Sequence, residues 1–152
     1  MDPTYVFSFA HPADEAEIRR LLKDCGLPEE DIGPHIRNFL VARRENNIVG
    51  TVGLELYEDI VLLRSLAVTE SQRGKGLGIS LTKEILRYAE HLEAKDVYLL
   101  TLTAERFVAK FGFTRLPREK APKAVRTSKE FTSLCPSTAI LMHRAMNRPK
   151  SR

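Results

Sequence analysis

Apolar and polar positions follow two different rhythms along this chain. Over residues 11–26, Ile18, Leu21, Leu22 and Cys25 fall at i, i+3, i+4 and i+7, a spacing that places them on one face of a helix. Pro12 opens that segment, acids follow in its first turn, and Gly26 closes it. Around it the rhythm is that of strands: Tyr5–Phe9, Phe39–Arg43 and Asn47–Tyr57, after which Glu58 and Asp59 make a tight turn into Ile60–Val68. That last run is apolar almost throughout, as an interior strand covered on both faces would be. Residues 28–38 predict a short helix or turn interrupted at Gly33-Pro34. A second amphipathic helix begins near Ile79, with Ile85, Leu86, Ala89 and Leu92 on one side. The element order is strand, helix, several strands, helix, strand, helix, strand, with no internal repeat and no low-complexity linker.

Between the buried strand and the second helix lies QRGKGLG, residues 72–78, with Gly74, Gly76 and Gly78 at alternate positions, Arg73 just before the first and Lys75 between the first two. Strand, glycine loop and helix start together form an anion cradle. Glycines without Cβ atoms let backbone N–H groups approach phosphate oxygens, and the helix start adds unpaired donors and the positive end of its dipole. The cations Arg73 and Lys75 add charge-assisted contacts. The P-loop pattern needs Gly-x-x-x-x-Gly-Lys followed by Ser or Thr, and the dinucleotide fingerprint needs Gly-x-Gly-x-x-Gly; this loop has neither spacing.

Composition narrows the ligand. The 152 residues suit one domain, and 43% hydrophobic with 29% charged residues is an ordinary soluble globule. No apolar stretch approaches the ~20 residues that span a bilayer, and no basic region precedes the first apolar run, so the expected place is the cytosol, away from membranes. Cys25 and Cys135 lie far apart and the four histidines form no close pair, which predicts buried free thiols and no metal site. The net charge of +4 comes from cations dispersed among acids, which favours a small polyanionic ligand over nucleic acid. The basic tail Arg148–Arg152 predicts a solvated end.

The loop QRGKGLG resembles the one with which the GCN5-related N-acetyltransferases, the GNAT superfamily, hold the pyrophosphate of acetyl-coenzyme A. Ser65–Gly78 is similar to that family's central strand and loop, Ala104–Phe113 to its later helix running into a Gly-Phe pair, and the element order matches from Val6 to Met146. The resemblance implies an α/β (α+β) fold, a central mixed, mostly antiparallel sheet flanked by helices, as a single domain over 1–152. It also implies acetyl-coenzyme A as co-substrate, held by Leu66, Ala67, Val68, Gln72, Arg73, Gly74, Lys75, Gly76, Leu77 and Gly78, with the backbone N–H groups of Leu66–Val68 receiving the thioester carbonyl and pantetheine arm. Many members of the superfamily form dimers, so a homodimer is an expectation.

A narrower resemblance, carried by GLPEEDI from Gly26, GLELY from Gly53, LLRSLAV from Leu62, YLLTLTAERF from Tyr98 and EFTSLCPSTAILM from Glu130, is to the arsenic-resistance N-acetyltransferases, a branch related to the acetyltransferase domain of N-acetylglutamate synthases. This implies acetylation of the α-amino group of a small amino acid or analogue, with arsinothricin- or phosphinothricin-type glutamate analogues as the sharper option. Two rival classes are a peptide or protein acetyltransferase and a non-catalytic acyl-coenzyme A binding module.

The chemistry requires a proton acceptor, because only a neutral amine attacks a thioester. Glu55 is the candidate. With a two-residue turn at Glu58-Asp59, Glu55 lies opposite Leu62 and Gly53 opposite Arg64, which makes Glu55 and Arg64 diagonal neighbours with Cβ atoms roughly 7 Å apart. Val52, Leu54 and Leu56 then share one face, leaving Thr51, Glu55 and Tyr57 on the substrate side. Arg64 interrupts an apolar strand, and burying it demands a partner. A substrate carboxylate would supply one, gripped in bidentate fashion; the plainer alternative is that Glu55 and Arg64 pair with each other. The resemblance adds Thr101, Ser133 and Ser137 as lining for the amine pocket. A departure from the family pattern places Val108 where a tyrosine acid often stands; Tyr57 and Tyr98 read mainly as strand packing, and Phe107, Phe111 and Phe113 as core. Direct transfer needs no acyl-enzyme, so Cys135 is not expected to be a nucleophile.

Overall fold

A computed structural model describes residues 4–146 and resolves into two compact units, one drawn from the chain up to Glu55 and from Arg64–Tyr88, the other from Leu56–Leu63 and from Ala89 onward. The seven strands are β1 (Val6–Phe9), β2 (Phe39–Arg44), β3 (Asn47–Tyr57), β4 (Ile60–Val68), β5 (Asp96–Thr101), β6 (Thr114–Arg115) and β7 (Ile140–Ala145), hydrogen-bonded in the order β1-β2-β3-β4-β5-β7-β6. The pairs β1–β2, β2–β3, β5–β7 and β6–β7 are antiparallel and β4–β5 is parallel, so the sheet is mixed and mostly antiparallel. No helix among the described residues is long and apolar enough to cross a membrane. The tail Arg148–Arg152 lies outside the described residues.

In the first unit, helix α1 (Glu15–Asp24) buries Ile18, Leu21 and Leu22 against Ile32, Ile36, Phe39, Val41, Ile48 and Ala67. The helix expected from Pro12 starts later. His11 Nδ1 accepts from the Ala13 N–H while Asp14 Oδ2 accepts from the His11 N–H, and this reciprocal cap winds Pro12–Asp14 into a tighter 3-10 turn. At the other end Gly26, at φ 72°, lets the Leu27 N–H reach back 2.9 Å to the Leu22 carbonyl. Gly33-Pro34 does not interrupt the next segment but opens it: proline sits in the first turn of the 3-10 helix Gly33–Asn38, where its missing N–H has no helical partner to lose.

Strands β3 and β4 are joined through Glu58 and Asp59, with Glu58 at φ 57°, as the turn reading predicts. Both faces of β3 are covered, at Thr51 and Glu55 on one and Val52 and Leu54 on the other, whereas Leu56 is 39% exposed two residues before the turn. Helix α2 (Leu77–His91) begins two residues before the expected Ile79. A Cβ at Gly50 would sit 2.8 Å from Leu81 Cδ1 and 3.1 Å from Leu77 Cδ2, so its absence admits the first turns of α2 onto β3. Leu92, expected on the buried side with Ile85, Leu86 and Ala89, is exposed because the helix has already ended at His91.

The second unit packs Leu62, Tyr98, Ala121, Val125 and Leu141 together with Tyr57, Ile60, Leu116 and Phe131. Its short helices are α3 (Glu105–Ala109) and α4 (Lys123–Arg126), and a single π-helical turn spans Glu130–Leu134.

Candidate active site

Alternation along β3 puts Thr51, Gly53 and Glu55 on one face. Phe39 is paired with Gly53 across the β2–β3 ladder, and its fully buried ring occupies the space that a Gly53 side chain would need. Glu55, two residues further along the strand, is only 1% exposed.

A carboxylate in such a place needs a partner, and Arg64 is that partner. Its side chain has 0% exposure, and Nη1 donates at 2.7 Å to both Glu55 Oε2 and Asp31 Oδ1, while Nε donates at 2.9 Å to Ser65 Oγ. The plainer alternative from the sequence is thus what the free protein contains. On the far side of Glu55, His35 Nε2 lies 3.7 Å from Oε1.

Asp31 and His35 escaped sequence reasoning. Ile32 and Ile36 are both buried, and Asp31 and His35 each directly precede one of them. The ligating atoms of Asp31, His35 and Glu55 lie within 4.8 Å of one another, a spacing that a metal ion could bridge. The Arg64 guanidinium already lies between the two carboxylates as their cation, so the donor set does not fit a metal. Two carboxylates thus share one guanidinium nitrogen.

The glycine loop lies in the same unit. Gly74 and Gly76 have φ 77° and 84°, and a Cβ on either would meet nothing within 4 Å; glycine is present for its backbone, not for space. Gln72 is buried and its Oε1 accepts from Tyr5 Oη at 2.7 Å and Arg44 Nη1 at 3.4 Å, which fixes the start of the loop. Leu77, 2% exposed, anchors the other end. The first turn of α2 carries no acid, so no side chain offsets its positive end there. Lys75 is exposed, whereas Arg73 folds back: its Nε donates 2.9 Å to the Val68 carbonyl and Nη2 lies 3.5 Å from Cys25 Sγ.

Upstream, Ser65 has φ 62°, which breaks the alternation of β4 immediately before Leu66, Ala67 and Val68. Ala67 is buried and its two neighbours are partly so.

Thr101, Ser133 and Ser137 belong to the second unit. The Thr101 hydroxyl accepts from the Ala104 N–H at 2.8 Å and the Ser133 hydroxyl donates to the Lys129 carbonyl at 3.3 Å; Ser137 is exposed. Tyr57 and Tyr98 both pack in that unit's core, and burial, with Asp96 nearby, pushes the Tyr98 hydroxyl above its ordinary value. Val108 is buried. Cys25 and Cys135 are half-buried, not buried, and neither forms a disulfide.

A family model described as an acetyltransferase (GNAT) domain matches residues 35–115. The chain belongs to this family. An uncharacterized N-acetyltransferase of Chlorobaculum tepidum is 30% identical over 97 residues, 63% of this chain and 62% of the relative. An amino-acid acetyltransferase of Mycobacterium tuberculosis is 30% identical over 109 residues, 69% of this chain and 59% of the relative. The chain thus spans about three fifths of the length of these curated relatives. The same GNAT fold occurs in the N-acetylglutamate synthase of Neisseria gonorrhoeae, solved with coenzyme A and N-acetyl-glutamate, at a TM-score of 0.81 and 20% identity over 97% of this chain and 36% of that one.

Proposed function

We propose that this chain transfers the acetyl group of acetyl-coenzyme A directly to the amino group of a small amino acid or amino-acid analogue, with Glu55 as the proton acceptor. The observation that carries the reading is the buried Glu55 carboxylate, held by Arg64 in the same unit as a glycine loop opening a helix with no acid in its first turn. The loop, with Gln72, Arg73, Gly74, Lys75, Gly76, Leu77 and Gly78, suits the pyrophosphate, and the backbone of Leu66, Ala67 and Val68 suits the thioester and pantetheine. For Arg73 to add its charge, it must leave the Val68 carbonyl.

In the reaction an ammonium gives a proton to Glu55, and the neutral nitrogen attacks the thioester carbonyl. The C–N bond forms, the C–S bond breaks, and the leaving thiolate, whose conjugate thiol has an ordinary pKa of about 8.5, departs without a strong acid. It takes up the second proton released by the nitrogen.

Arg64 is the proposed grip on a substrate carboxylate. Nη1 serves both Glu55 and Asp31, so Arg64 also holds Glu55 in place. The Glu55 carboxylate, as proton acceptor, suits the ammonium end of the substrate. Thr101, Ser133 and Ser137 remain proposed lining residues for the amine. The amino-acid acetyltransferase of Mycobacterium tuberculosis and the N-acetylglutamate synthase support an amino-acid acceptor. Arsinothricin and phosphinothricin are the sharper options.

The test is release of free coenzyme A thiol from acetyl-coenzyme A across glutamate, aspartate, phosphinothricin, arsinothricin, lysine peptides and no acceptor. Selective turnover of a glutamate-like compound supports the reading. Preference for peptides moves the assignment to protein acetylation, and binding of acetyl-coenzyme A with no turnover across the panel overturns the enzyme reading.

A further inference from the structure

A base with 1% exposure does not return its proton to bulk water unaided. Each turnover loads Glu55 with one proton, and the next turnover needs it gone. Its Oε2 is held by Arg64 Nη1 at 2.7 Å, while Oε1 faces His35 Nε2 at 3.7 Å. His35 has 25% of its side chain exposed, so the imidazole touches both the buried carboxylate and water. It is fixed from below: Ile32 and Ile36 are buried on either side of it in sequence, and its backbone N–H donates 2.9 Å to the Ile32 carbonyl. Asp31, also titratable, is tied to the guanidinium at 2.7 Å, and its carboxylate lies within 4.8 Å of the ligating atoms of both Glu55 and His35.

We propose that His35 is the proton exit of the site, accepting at Nε2 the proton that Glu55 takes from the substrate ammonium and releasing it to solvent. This rests on the reading of Glu55 as acceptor. The 3.7 Å separation is closed by a small turn of the imidazole or by one bridging water. The balance is complete: of two protons lost by the amine nitrogen, one ends on the coenzyme A sulfur and the other travels from Glu55 through His35 to water. Nothing is oxidised or reduced. Arg64 contributes by holding Oε2, which turns Oε1 toward the imidazole.

The test compares wild type, His35→Gln and Glu55→Gln by coenzyme A release with the preferred amine, with and without added imidazole. For His35→Gln, kcat should fall about tenfold or more while KM for acetyl-coenzyme A stays the same, and imidazole should restore kcat in proportion to its concentration. Glu55→Gln should be inactive and insensitive to imidazole. A residue with only a structural role would not be rescued by a soluble base, and retained coenzyme A binding by His35→Gln confirms that the variant is folded. His35→Asn is the second variant if binding is lost. Full activity of His35→Gln, or a loss that imidazole does not restore, overturns the relay alone. Wild-type turnover that survives Glu55→Gln overturns the acceptor reading beneath it, and no turnover in wild type removes both.

Discussion

Arg64 Nη1 and Glu55 Oε2 meet at 2.7 Å where neither side chain is more than 1% exposed, and the same nitrogen also holds Asp31. The two strands carrying them are joined by a two-residue turn, so the pair is assembled by local chain geometry; Asp31 is brought to it from 33 residues away.

Removing the guanidinium strands two carboxylates. Breaking a buried pair by deleting one partner is destabilising by about 3–5 kcal/mol. Arg64→Met should therefore lower unfolding stability by that order, and the double variant Arg64→Met/Glu55→Gln should recover part of the loss. Urea unfolding of both and of each single variant closes the cycle; strict additivity would show that the two side chains do not act as a unit.

Gly53 and Phe39 form a second coupled pair. A methyl group at Gly53 enters the Phe39 ring, so Gly53→Ala should lower stability by about 1–3 kcal/mol, the usual effect of overpacking. Phe39→Leu in the same chain should relieve much of it. If Gly53→Ala is harmless by thermal unfolding, the ring is not confined as described.

The glycines of the loop should behave differently. At Gly74 and Gly76 there is open space but a positive φ, so alanine strains the backbone by about 1–2 kcal/mol without any collision. Each Gly→Ala change should raise KM for acetyl-coenzyme A about tenfold or more while KM for the amine changes little. Equal effects on the two constants would separate the loop from cofactor binding.

The sequence displayed the sheet and the loop well because both are written in local patterns. The boundaries of β3 and β4 agree with the hydrophobic rhythm to the residue, and the Gln72–Gly78 spacing is contiguous. What it concealed depends on contacts between distant segments. Gly50 looks like any strand glycine until Leu77 and Leu81 are seen against it, where a Cβ would collide with them. Asp31 and His35 sit in a segment whose Gly-Pro pair resembled an interruption, and only the fold turns their spacing into a cluster with Glu55 and Arg64. Leu56 obeys strand alternation and is still exposed, since periodicity states a face but not how far along a strand the cover extends.

Asp14 supplies a pH dependence whose sign can be worked out. Burial pushes its carboxyl up, but the His11 backbone N–H, the hydrogen bond from Arg43 and the charge of Arg43 together outweigh burial and hold it below the ordinary value of 3.8. Arg43 Nη2 stands 2.6 Å from Asp14 Oδ1, joining the start of α1 to β2. A carboxyl depressed in the folded state stabilises that state above its unfolded pKa, and the contribution is lost as pH falls through the folded value. At neutral pH, Asp14→Asn should therefore be less stable than wild type, and the difference should shrink as pH is lowered past the ordinary aspartate range. Urea unfolding at a series of pH values from 7 downward, about one unit apart near that range, measures it. A difference between the two proteins that stays constant to the lowest pH would mean that Asp14 acts through the cap geometry with His11 and not through its charge, and Arg43→Met would then leave the pH profile of wild type unchanged.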